Sequence, residues 1–328
     1  MRLITYKNRE DGAMHVGVLI NNDFEVVSLS NNGFPRDMNE IVKLGSDGLT
    51  KINKLLDSKP KTLSMSEIDL LAPIPRPLRN IMCVGKNYHD HAKEFYGSGF
   101  DSSGKKAVAD FPVIFTKATT SVIATGDEII LANDYTNTTD YEGELGIVLS
   151  KGGKNIRAED AYDYIYGYTI INDVSARNIQ KQHEQWFIGK SPDTYCPMGP
   201  AIVTSDEISD VTKLKLMTKV NGDIRQDSIV ERLIFDIPTL ISTISKTMTL
   251  EICDVIATGT PAGVGIGFEP PIYLKTGDHV EVMIDKIGKL ENTVKWDVFQ
   301  KNIIKTAIYL FLNFHILSIV FARWKRSG

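Results

Sequence analysis

The sequence predicts an α+β protein with a sandwich-like core. Strand patterns outnumber helix patterns along the 328 residues. The strands do not alternate regularly with helices, as a doubly wound parallel sheet requires. An Asn-Gly pair in "VNGDI" joins two alternating runs as an antiparallel hairpin. No internal repeat or low-complexity segment interrupts the pattern.

Residues 1–30 alternate apolar and polar around "NND", which reads as a hairpin or small meander. Residues 38–57, "MNEIVKLGSDGLTKINKLLD", read as one or two short helices. Prolines at 73, 75 and 77 then fix φ and disfavour helix in the residues before them, which marks a domain junction. The expected division is a small N-terminal α+β domain at 1–72, a main domain at 73–298 and a tail at 299–328. Strands follow at "NIMCVG", "PVIFTK", "ELGIVLS", "YIYGYTIIND", "AIVTS", "KLKLMTKVNGDIRQ", "DVIATGT" and "DHVEVMID". Helices are expected at "YHDHAKEF", "RAEDAYDY", "SARNIQKQHE" and "IPTLISTISKT".

Apolar residues make up 42% of the chain, enough for a sizeable core, and the net charge is −4. No basic block or basic helix face stands out, so nucleic acid is not expected as a partner. Cys83, Cys196 and Cys253 lie far apart and form no C-x-x-C pair. They read as reduced core thiols of a cytoplasmic protein, neither a disulfide frame nor a zinc site. The N-terminus turns polar after five residues and reads as neither a signal peptide nor a span. The C-terminus differs. Thr306 to Ala322 is a run of 17 residues with no formal charge except a possible one on His315, and "RWKR" follows. That length sits at the lower edge of a membrane-spanning helix. A helix packed on the body or a partner, or an aberrant extension, is preferred over membrane contact through this tail.

Glu142 and Glu144 precede an alternating run that reads as a half-buried strand, and two apart on a strand they share a face. Gly143 between them leaves the opposite face open to close backbone approach. Asp173 closes another strand pattern. Three carboxylates at strand ends make a hard-oxygen site suited to Mg²⁺ or Mn²⁺; solvated strand-end acids are the alternative. In "CVGKNYHDHAKEF", Asn87 is placed to cap a helix on which His91 and Glu94 are three apart and share a face. A carboxylate beside an imidazole suits a general base for water; a plain surface helix with an incidental ion pair is the alternative. His89 falls off that face and reads as surface.

The glycine-rich "ATGTPAGVGIG", residues 257–267, fails the dinucleotide fingerprint because Phe268 stands where the third glycine belongs. It also lacks a P-loop Gly-Lys-Ser/Thr. Its N–H groups and the Thr260 hydroxyl can cradle a carboxylate, or it is only a tight turn. Lys190 in "FIGKSPDTYCPMGP" can steady a substrate oxygen near a metal, although a lone lysine is usually solvated.

Together, "VGKNYHDHAKEF", "DYEGELGIVLSK", "YTIINDVSARNIQ", "GKSPDTYCPMGP" and "ATGTPAGVG" stand in the order and spacing of the fumarylacetoacetate hydrolase family. The resemblance runs from about residue 72 to 296. It is greatest to the bacterial branch of YisK-like oxaloacetate decarboxylases and acylpyruvate hydrolases. It implies a mixed β-roll catalytic domain and a homodimer. It implies Glu142, Glu144 and Asp173 as metal ligands, and His91 and Glu94 as a water-activating dyad on a segment that orders over substrate. It implies Lys190 as the active-site lysine, and Arg177, Gln180 and Thr260 as residues that contact substrate or hold the metal shell. The stretch 96–111 is long and Gly/Ser-rich, and the tail after Gln300 lies beyond where such chains end.

The function so implied is metal-dependent C–C bond cleavage in a small 2-oxo acid through a stabilised enolate. Acylpyruvate hydrolysis and oxaloacetate decarboxylation are the two forms. The alternatives are an isomerase or hydratase of 2-hydroxydienoates, and a non-catalytic metal-binding relative.

Overall fold

The computed structural model describes residues 1–101 and 106–296. The tail expected at 299–328 lies outside them, and the stretch 96–111 is described only in part. The meander comes first: β1 (Arg2–Asn8), β2 (Met14–Ile20) and β3 (Glu25–Ser28), all antiparallel. Asn21, Asn22 and Asp23 turn the chain between the last two with φ of 51°, 56° and 69°. Asn and Asp tolerate that region best among side-chain-bearing residues. The stretch 38–57 becomes two helices, α1 (Met38–Lys43) and α2 (Gly45–Asp57). Asp37 caps the first by accepting from the Asn39 N–H, and Gly45 at φ 57° breaks it from the second. Strands β4 (Thr62–Ser64) and β5 (Ile68–Leu71) complete this part.

Past the prolines come β6 (Ile81–Gly85), α3 (His89–Gly97), β7 (Val113–Lys117), β8 (Val122–Ile123), β9 (Glu128–Ile130) and β10 (Thr139–Asp140). Next are β11 (Gly143–Leu149), β12 (Ile165–Asn172), β13 (Ser175–Ala176), α4 (Arg177–Gln182) and α5 (Phe187–Lys190). The remainder is β14 (Cys196–Thr204), β15 (Lys215–Val220), β16 (Asp223–Ile229), α6 (Ile237–Thr247), β17 (Val255–Ala257), β18 (His279–Ile284) and β19 (Gly288–Lys295). "RAEDAYDY" differs from expectation: Ala158–Tyr164 is a 3₁₀ turn. Its aspartates and tyrosines are weak α-helix formers, and the short run tightens accordingly. The Asn-Gly hairpin is as expected, with Asn221 and Gly222 at φ 54° and 85° between β15 and β16.

The main sheet runs β4-β3-β2-β1-β14-β12-β11-β17-β6-β7, with β5 on β1 and β8 on β14. A second sheet runs β16-β15-β18-β19-β9. Leu145, Ile147, Leu149, Tyr168 and Ile170 of the first meet Leu216, Val282, Ile284 and Leu290 of the second, and Leu240, Ile241 and Ile244 of α6 join them. Each such buried side chain contributes about 1.5–3 kcal/mol of transfer free energy. The other face of β11 is covered too: Val148 packs in a cluster with Leu3, Val16, Met38 and Ile41. All seven residues of β11 are therefore buried, where alternation alone read it as half-buried. The main sheet is continuous across the proline run, because β1 pairs with β14 at Arg2↔Val203 and Leu3↔Ile202.

Candidate active site

Glu142 precedes β11 and Glu144 lies one residue inside it. β11 pairs with β12 at Gly143↔Asn172, so Asp173, next in the chain, arrives beside both glutamates. Carboxylate oxygens of the three lie within 4.8 Å of one another, and all three side chains are buried. Gly143 lets this happen. Its N–H donates to Gln226 Oε1 at 3.0 Å, and a Cβ there would collide with Thr218 of the second sheet. The reading of Gly143 as a close-approach position therefore holds.

Cations interleave the acids. Lys190 Nζ donates to Glu142 Oε2 and Asp173 Oδ2, both at 2.7 Å. Arg177 places Nη1 2.6 Å from Glu142 Oε1, and its Nε donates to Asp140 Oδ2 at 2.9 Å. Lys117, closing β7, donates to Asp173 Oδ1 at 2.7 Å, to the Val174 carbonyl at 2.9 Å and to the Lys190 carbonyl. Burial works against ionised Glu142, yet Lys190 and Arg177 outweigh it and hold its pKa low. Glu144 accepts from the Gly259 N–H at 2.8 Å. Burial first, then Asp173 and Glu142, push its pKa well above the usual range.

These residues fit a divalent cation. Four buried carboxylates (Asp140, Glu142, Glu144, Asp173) share three buried cations (Lys117, Arg177, Lys190). The under-compensated acid is Glu144, and the donor set is oxygen throughout, as hard ions prefer.

The dyad lies across the same cavity. His91 Nδ1 is 3.1 Å from Glu94 Oε2, which leaves Nε2 as the ring's second nitrogen. Asn87 does not cap this helix, contrary to expectation, since Tyr88 holds the N-cap position. The Asn87 amide instead donates to the Phe235 and Thr258 carbonyls at 3.0 and 2.8 Å and accepts from the Phe235 N–H at 2.8 Å. It ties the start of α3 to the loop after β17. That loop, "GTPAGVGIG", cradles the protein's own carboxylates. Gly259 N–H reaches Glu144, Gly263 N–H reaches Glu94 at 3.0 Å, and the Gly265 and Ile266 N–H groups reach Asp140 at 2.6 and 3.1 Å.

One cavity is lined by Lys86, His91, Glu142, Glu144, Arg177, Gln180, Lys190 and Thr260, among others. It encloses about 10 Å³, room for about one water. Eight of the nine site residues expected from the sequence either line it or, for Asp173, sit in its carboxylate cluster. Glu94 stands behind His91. Thr260 faces inward but is engaged: its hydroxyl donates to the Gly143 carbonyl at 3.0 Å and accepts from Gln226 Nε2 at 2.7 Å. Gln180 Nε2 is buried without a hydrogen-bond partner among the described residues. Sequence reasoning missed Lys117, Asp140 and Gln226. A lysine or aspartate at a strand end is ordinarily solvated, so no pattern marked them. No helix among the described residues is long and apolar enough to cross a membrane.

Comparison with known proteins bears on the family and the fold. The family model described as fumarylacetoacetate (FAA) hydrolase C-terminal matches residues 80–295. Oxaloacetate tautomerase YisK of Bacillus subtilis is 50% identical over 231 residues, 70% of this chain and 74% of that one. A solved fumarylacetoacetate hydrolase from Exiguobacterium antarcticum superposes with a TM-score of 0.77 at 38% identity, covering 90% of this chain and 100% of that one. A maleylpyruvate hydrolase from Sphingobium, solved with manganese and pyruvate, gives 0.72 at 27% identity, covering 90% and 99%. By family match, identity and shared fold, the chain belongs to the fumarylacetoacetate hydrolase family of enzymes.

Proposed function

We propose that this enzyme interconverts the enol and keto forms of a small 2-oxo dicarboxylic acid of the oxaloacetate class. The observation that carries the reading is the meeting of the His91–Glu94 pair and the three-carboxylate cluster at one cavity. The tautomerase named above supports it. Mg²⁺ or Mn²⁺ would be held by Glu142, Glu144 and Asp173, and would supply positive charge that favours the enolate form of a 2-oxo acid.

The chain's own residues do the rest. Gln180 and Arg177 present N–H donors to a substrate carboxylate. Lys190 fixes two of the acids and adds positive charge where an oxyanion develops. His91 moves the proton at Nε2, taking it from the enol hydroxyl side and returning it to C3. Glu94 holds the ring and its tautomer through Nδ1. One proton leaves oxygen, one joins carbon, and no C–C bond breaks. Phe95, Phe115 and Trp186 keep bulk water out.

A second reading, C–C cleavage by decarboxylation or acylpyruvate hydrolysis, uses the same enolate. Room for about one water beside His91 favours its hydrolytic form. A homodimer and a cytoplasmic location complete the proposal. Exposed Tyr135, Phe187 and Ile188 support the first, and three buried free thiols the second.

The test follows enol absorbance and pyruvate formation separately, using protein stripped with EDTA and then reloaded with Mn²⁺. Enol loss should accelerate only in the loaded protein and outpace pyruvate. Pyruvate formed as fast as enol disappears favours the second reading, and no acceleration of either defeats both.

A further inference from the structure

Lys86 lies between β6 and α3, with φ at 56°, a region side-chain-bearing residues seldom occupy. The residue is buried and is one of those lining the cavity. Nζ donates to Asp101 Oδ2 at 2.9 Å and to the Lys106 carbonyl at 3.2 Å. Both members of the ion pair are nearly inaccessible, at 2% and 3% side-chain exposure. Burying such a pair carries a desolvation cost that its own attraction barely offsets, so its presence beside the cavity calls for a use.

Two other cationic side chains line the cavity, and both pair with acids of the carboxylate cluster. Arg177 and Lys190 each bridge two acids of the sheet-end cluster. Lys86 alone among these three takes its acid from the chain that follows α3, outside that cluster. The cavity also has room for about one water, so a four-carbon acid requires something to withdraw. Withdrawal of Asp101 would free space and an ammonium together, whereas withdrawal of any cluster acid would dismantle the site.

We propose that Lys86 anchors the substrate's second carboxylate and that Asp101 occupies this anchor until substrate replaces it. The ligand class is a small dicarboxylate with an oxygen on C2, and the proposal rests on the oxaloacetate-class reading. Exchange of one carboxylate for another keeps Lys86 paired throughout. Selectivity follows, because a monocarboxylate that displaced Asp101 would leave a buried ammonium unpaired.

Two unreactive probes separate these roles. Malate has the four-carbon skeleton and both carboxylates, and 2-hydroxybutanoate replaces the second carboxylate with a methyl group. Their dissociation constants are measured by calorimetry on Mn²⁺-loaded full-length protein. The wild type should bind malate roughly 10- to 100-fold tighter, the range of one charged hydrogen bond. Asp101→Asn should tighten malate several-fold further. The double variant Lys86→Met/Asp101→Asn leaves no unpaired buried charge; it should bind both probes alike and hold 2-hydroxybutanoate as the wild type does. Lys86→Arg should keep the preference. An unchanged preference in the double variant, or equal weakening of both probes by Asp101→Asn, overturns the proposal. Turnover of oxaloacetate with no Lys86-dependent preference defeats this inference and spares the functional reading. A Lys86-dependent preference without oxaloacetate turnover does the reverse.

Discussion

Glu144 and His91 separate what the site needs in order to bind from what it needs in order to react. Glu144 is a buried carboxylate with a single backbone N–H partner among the described residues, at 2.8 Å. Burial and its two acidic neighbours raise its folded pKa well above the unfolded value. The stability it contributes is therefore fully present below the unfolded carboxylate range, near 4.3, and is lost as pH rises through the folded value. The metal-free protein should melt at a lower temperature at pH 8 than at pH 6, with Glu144 among the causes. Glu144→Gln should raise the metal-free melting temperature at pH 8 and narrow that difference, read by scanning calorimetry after EDTA treatment. A lower melting temperature in the variant would contradict the electrostatic account. His91 acts later. Replacing it with Asn should lower kcat by about 10²–10⁴-fold, the usual worth of general acid–base catalysis. Mn²⁺ affinity should stay unchanged, because His91 stands outside the carboxylate cluster. A parallel loss of Mn²⁺ binding would show that His91 supports the acids instead.

The loop after β17 is the element that assembles the site, since its N–H groups reach Glu144, Glu94 and Asp140 in turn. Gly263 has φ 104°, and a Cβ there would run into the Arg225 carbonyl. Gly263→Ala should displace the N–H that holds Glu94 and lower kcat at least tenfold, while Mn²⁺ affinity changes much less, because the loop reaches Glu144 through the Gly259 N–H and not through Gly263. Equal losses of both would mean that the loop moves as one rigid piece. Much of this region was legible in the sequence. The Glu-x-Glu spacing, Asp173 at a strand end and the three-residue spacing of His91 and Glu94 each follow from local geometry, and five ordered motifs joined them. Other features were hidden because their meaning is tertiary. Lys117 closes a strand like any solvated lysine until β12 brings Asp173 to it. Asn87 has the composition of a cap, yet a backbone 148 residues away takes its amide. The full burial of β11 depends on the N-terminal residues that cover its second face.

On the scale of the molecule, the first 72 residues and those after the prolines share one sheet and one apolar cluster. Leu3, Val16 and Met38 pack with Cys83, Val148 and Val255. Two units so joined should unfold together, although the proline run resembles a domain boundary. Calorimetry should give one transition with equal calorimetric and van't Hoff enthalpies; two resolved transitions would show independent stability. The same continuous sheet holds the strand ends that carry the three acids, and the central proposal is that those acids bind a divalent ion on which activity depends. Its most direct test is an Mn²⁺ titration of EDTA-stripped protein, reading free Mn²⁺ by electron paramagnetic resonance and oxaloacetate enol loss on the same samples. Wild type should take up one tight Mn²⁺ per chain, with activity rising in proportion. Glu144→Gln, folded by its melting curve, should take up none tightly and stay inactive. Full activity in stripped wild type, or wild-type Mn²⁺ uptake by the variant, would contradict the account.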